Sequence, residues 1–74
     1  MTNLKQTVDE ISYKVIAETH PRVIEVINAA LDKGDNAKRI EKALLRRFGH
    51  NSLTALMAIG TAHYLEAKRR ERQQ

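Results

Sequence analysis

Asp35-Asn36-Ala37-Lys38-Arg39-Ile40-Glu41-Lys42-Ala43-Leu44-Leu45-Arg46-Arg47-Phe48-Gly49 reads as one helix, over residues 36–48, with its own start and stop signals. Asp35 or Asn36 supplies a side chain able to accept from the first free amides, and Gly49 ends the segment. At about 100° per residue, Lys38, Arg39, Lys42 and Arg46 fall within about a third of the circumference. Opposite them, Ala37, Ile40, Ala43, Leu44 and Phe48 form the side expected to face a core. Glu41 is the only acid between Ala37 and Phe48 and lies at the boundary of the two faces. A helix this amphipathic must pack on something, and the chain around it supplies further helices.

Upstream, residues 21–33 carry Val23, Ile24, Val26, Ile27, Ala30 and Leu31 at helical spacing, with Arg22, Glu25, Ala29 and Asp32 on the polar side. Pro21 suits a first turn, where its missing N–H would be unpaired anyway, and Gly34 suits a left-handed stop. His20-Pro21 ends an earlier segment, residues 3–19, because proline disfavours helical geometry in the residue before it. In that first segment Leu4, Val8, Ile11 and Val15 recur at steps of four, three and four, a narrow heptad-like seam, and Tyr13 points away from it.

Downstream, Asn51 or Ser52 is placed to cap a fourth helix over residues 52–69. Leu53, Leu56, Met57, Gly60, Tyr64 and Ala67 share one side of it, and Ala55, Ala58, Ile59 and Ala62 cover much of the other. A helix apolar nearly all round is central in a bundle or in an interface. Gly60 costs about 1 kcal/mol of helix propensity relative to alanine, which points to close approach by a neighbouring helix. The expected fold is all-α, a compact bundle of four short helices in one domain over residues 1–70, with a frayed polar end at 71–74.

Seventy-four residues lie near the lower limit for an unassisted core, and the absence of cysteine removes disulfides and thiolate metal sites together. The 42% apolar and 30% charged content is that of a folded domain. No run is long enough to cross a bilayer, and the start Met1-Thr2-Asn3-Leu4-Lys5 lacks the apolar region of a secretory signal, so a cytoplasmic location is expected. The net charge of +4 is unevenly spread. Residues 1–37 carry four Lys/Arg against six Asp/Glu, a net of −2, whereas residues 38–74 carry nine against three, a net of +6. That split favours an anionic partner or self-association through opposite patches.

Catalytic and metal chemistry find no local pattern. His20, His50 and His63 have no serine or carboxylate at motif spacing, none has a second ligand three or four residues away, and Gly34, Gly49 and Gly60 are isolated. No enzyme activity, cofactor or metal is expected. The basic residues point instead to nucleic-acid backbone: Lys38, Arg39, Lys42, Arg46 and Arg47 along the third helix, with Lys68, Arg69, Arg70 and Arg72 as a second, C-terminal group. Solvated helix faces commonly mix signs in pairs at i and i+4, and this face is nearly one-signed.

Leu44-Leu45-Arg46-Arg47-Phe48-Gly49-His50-Asn51-Ser52-Leu53-Thr54 resembles the turn region of helix-turn-helix regulators, with an apolar helix end, a glycine and a polar cap opening the next helix. It departs at Leu45, where that family favours a small residue, and at His50, where it favours an apolar one. The helix that would read bases offers Leu53, Leu56 and Met57, without the Arg, Asn or Gln that bond base edges. Phosphate gripping with little base discrimination is therefore the expectation. The alternative is a protein-binding regulator, inhibitor or adaptor. It would use Leu4, Val8, Ile11, Tyr13 and Val15 as a helix–helix interface, or the basic face on an acidic protein. Excess apolar surface on the fourth helix adds an expectation of a homodimer or other homo-oligomer.

Overall fold

Proline and glycine divide the helices where their backbone chemistry requires. In the computed structural model, which describes residues 4–73, α1 spans Leu4–Thr19, α2 Pro21–Asp32, α3 Ala37–Phe48 and α4 Leu53–Gln73. Asn3, the expected first residue of α1, lies outside the described residues, as does Gln74. Pro21 occupies the first turn of α2. Gly34 has φ +99°, its N–H donates to the Leu31 carbonyl at 3.1 Å, and the Asp35 N–H donates to the Ala30 carbonyl at 3.1 Å. This pair of bonds is a Schellman closure, which needs a residue free to take positive φ. Gly49 ends α3 with its N–H donating to the Leu45 carbonyl at 2.9 Å, and Ser52 Oγ accepts from Ala55 N–H at 3.3 Å to open α4.

The four helices form the expected all-α bundle. α4 runs past its expected end at 69 and takes in 71–73, expected as part of a frayed end. Two i-to-i+3 or i+4 pairs support that last stretch: Glu66 with Arg70 at 3.2 Å and Lys68 with Glu71 at 3.5 Å. No helix among the described residues is long and apolar enough to cross a membrane.

Ile16, Val23, Ile27, Ala37, Ile40, Leu44, Ala58 and Ala62 make one buried cluster, with Ile24, Leu31, Phe48 and Met57 among the half-buried side chains around it. α4 is the central element and touches all three other helices, most extensively α1 and α3. Its buried positions are small: Ala55, Ala58, Gly60, Thr61 and Ala62. Thr61 satisfies its hydroxyl by donating to the Met57 carbonyl at 2.8 Å. A Cβ on Gly60 would lie 3.1 Å from Ser12 Cβ and Oγ and 3.2 Å from Asp9 Oδ1. Close approach of α1 is thus the reason for this glycine.

That contact also decides which stripes are left outside. α1 meets the bundle through Ser12 and Ile16, its buried residues, about a quarter-turn from the Leu4/Val8/Ile11 stripe. Leu53 and Leu56 on α4 are 71% and 62% exposed, and Val26, expected in the core, is 52% exposed. The small residues of α4 let neighbouring backbones come close, whereas Leu53 and Leu56, on the Gly60 side but one to two turns nearer the start of the helix, stay at the surface.

Candidate nucleic-acid interface

The orientation of α3 is set at its first turn. Asn36 Oδ1 accepts from Arg39 N–H at 2.9 Å, so of the two candidates Asp35 and Asn36 it is Asn36 that caps the helix. Ala37 N–H donates to Glu66 Oε2 at 2.7 Å, so a carboxylate from α4 satisfies a second free amide. Ala37, Ile40 and Leu44 then point into the core.

The residues of α3 left exposed are Lys38, Arg39, Lys42, Ala43, Arg46 and Arg47. Every one except Ala43 is a cation. Ala43, expected on the core side, sits instead within the basic face, because the core takes only the arc of Ala37, Ile40 and Leu44. Glu41 is half-buried with Oε1 4.0 Å from His63 Nε2, so the one carboxylate of α3 faces α4. Lys38, Lys42 and Arg46 stand one turn apart over about 12 Å, the axial rise of three to four nucleotides at roughly 3.4 Å each.

Among the described residues, no carboxylate pairs with Lys38, Lys42, Arg46 or Arg47. Arg39 is 3.7 Å from Asp35, an exposed pair with side chains 76% and 42% accessible. Such a pair contributes at most about 1 kcal/mol and yields to a competing anion. The first turn of α3 carries Lys38 and Arg39 and no acid. Cations there oppose the helix dipole at a cost of about 0.3–1 kcal/mol each. The Glu66 carboxylate supplies the negative charge which that end would otherwise take from its own sequence.

The structure adds Arg22, expected only as part of the polar side of α2. Arg22 and Arg47 flank a small apolar notch formed by Val23, Val26, Leu44 and Phe48. No spacing signal reveals this, since the two arginines belong to different helices. At the other end, Arg70 pairs with Glu66, the residue that caps α3, and so stands beside the first turn. The rest of the C-terminal group is engaged elsewhere. Arg69 donates to Asp32 Oδ1 at 2.6 Å, to Asn28 Oδ1 at 3.1 Å and to the Asn28 carbonyl at 3.3 Å, tying α4 to the end of α2. Lys68 pairs with Glu71 and lies 5.6 Å from the Tyr64 ring centroid. Arg72 is exposed and has no ion-pair partner among the described residues.

Of the expected protein interface, Leu4, Val8 and Ile11 are 77%, 52% and 56% exposed, and Val15 is half-buried. Tyr13 is not a free anchor: its ring stacks on Tyr64 with centroids 4.8 Å apart. It does so because it lies on the opposite edge of α1, toward α4 and α2. Among the described residues, no group of three His, Asp or Glu is placed to hold a metal ion. Compared with family models, with curated proteins and with solved structures, the chain has no match.

Proposed function

We propose that the protein is a small, non-enzymatic binding module whose α3 face grips nucleic-acid backbone with little sequence discrimination. The observation that carries this reading is that the exposed surface of α3 consists of five cations and one alanine. Four of the five have no carboxylate partner among the described residues. Arg22 and Arg70 extend the strip beyond the two ends of the helix. Strips of this kind neutralise phosphates and release counterions, and they carry no base information. Base reading through α4 lacks polar groups, since the exposed large side chains at its start are Leu53 and Leu56.

The test is a titration of the protein with fluorescent duplex DNA, single-stranded DNA and RNA of unrelated sequences at about 50 and 200 mM salt. Binding should be similar across sequences and fall steeply with salt. Lys42→Glu with Arg46→Glu should weaken it for every sequence while the circular dichroism spectrum stays helical. Absence of binding at the lower salt removes the reading.

A further inference from the structure

α1 presents an apolar edge that the bundle does not use. Leu4, Val8 and Ile11 are each more than half exposed, and Val15 continues the stripe. Their steps of four, three and four are the spacing with which one helix meets another along a seam. α1 and α4 run antiparallel: Gln6 and Thr7 share a cleft with Ala67, Lys68 and Glu71, and Ser12 meets Gly60. The N-terminal part of α4 therefore lies beside the C-terminal half of α1. Leu53 and Leu56, both largely exposed, stand there on the Gly60 side of α4. The Tyr13 edge of α1 turns toward α2, where it shares a hollow with Asn28 and Asp32, and the seam occupies the opposite edge. Leu56 likewise lies round α4 on the side away from Ala58 and Arg69.

We infer that this side of the molecule is an interface with a second copy of the chain, α1 lying antiparallel on α1. Three features point to a second copy. First, a two-fold interface must be self-complementary, and a 4-3-4 spacing reads the same in both directions. Val8 then faces the partner copy's Ile11, and Leu4 faces its Val15. Second, the antiparallel arrangement brings Leu4 of the partner copy, the most exposed residue of the seam, beside Leu53 and Leu56. A parallel pair would set Glu18, the next position of the seam, against its own copy and leave Leu53 and Leu56 uncovered. Third, five aliphatic side chains exposing on the order of 100 Å² each give up to about 1,000 Å² over the two copies, the least that a specific interface has to clear. The inference stands apart from the nucleic-acid reading, because none of these residues belongs to the basic strip.

Sedimentation equilibrium of the full chain at tens to hundreds of micromolar should show a dimer. Val8→Lys with Ile11→Lys should give a monomer whose helical spectrum and melting temperature change little, since both side chains are already more than half exposed. A native chain that stays monomeric, or a doubly substituted chain that stays dimeric, overturns the inference. The chain has no cysteine, so pairing can also be read by cross-linking. Leu4→Cys mixed with Val15→Cys should form the mixed disulfide under mild oxidation, with little cross-linking in either variant alone. Dominant cross-linking of Leu4→Cys with itself overturns the antiparallel arrangement.

Discussion

The Ala37 amide donates to Glu66 Oε2 at 2.7 Å, joining two residues 29 positions apart. Glu66 has a side chain only 19% exposed, and its other oxygen accepts from Arg70 at 3.2 Å. The carboxylate therefore satisfies a free amide, meets the positive end of α3 and fixes the angle at which the basic face leaves the bundle. Hydrogen bonds to charged groups contribute about 1.5–3 kcal/mol, so Glu66→Ala should destabilise the fold by that order in urea denaturation. Glu66→Gln should recover part of the loss, because an amide oxygen still accepts. Unchanged stability in both variants would remove Glu66 from this role.

Gly60→Ala sets two known effects against each other. Alanine gains about 1 kcal/mol of helix propensity, whereas forcing a methyl group into a packed contact costs about 1–3 kcal/mol. The new Cβ would meet Ser12 Cβ at 3.1 Å, an atom fixed to the backbone of α1, so relief requires moving a helix. Net destabilisation is expected, and Ser12→Gly in the same chain should reduce the steric part of it. A rise in melting temperature for Gly60→Ala alone would show that α1 shifts freely.

Stability and binding should separate between the two groups of basic residues. Arg69→Ala breaks the tie to Asp32 and Asn28 and should cost roughly 1 kcal/mol of stability, with nucleic-acid affinity nearly unchanged. Lys42→Ala should leave the melting curve in place and lower affinity, reducing the slope of log K against log salt by about one. Equal effects of the two substitutions on affinity would refute the division.

Gly34→Ala tests the connection between α2 and α3. At φ +99° an L side chain is strained even though nothing lies within 4 Å of the added carbon. A loss of about 1–2 kcal/mol is expected by analogy with left-handed residues, read by thermal or urea unfolding, and Gly34→Asn should lose less.

The positions of the helices were readable in the chain because their causes are local. Pro21, Gly34, Asn36, Gly49 and Ser52 act within a few residues of where they stand, and each marks a boundary that the structure places within a residue or two of expectation. The one-signed face of α3 was readable for the same reason, since Lys38, Lys42 and Arg46 share a side on any helix. Local spacing says which residues share a face and not which face finds a neighbour. Leu4, Val8 and Ile11 make the most apolar stripe of α1, yet Ser12 and Ile16 face inward, because Gly60 opens room for a close contact on that side.

By itself, the sequence determined an all-α chain, its punctuation and the sign of the outward face of α3. Tertiary structure alone decided that Arg22 shares a notch with Arg47, that Asp32 takes up Arg69, that Tyr13 stacks on Tyr64 and that Glu66 caps α3. The physical reason is range. Backbone propensity and capping are settled within a turn, whereas ion pairing and burial depend on which surfaces the packed helices bring together.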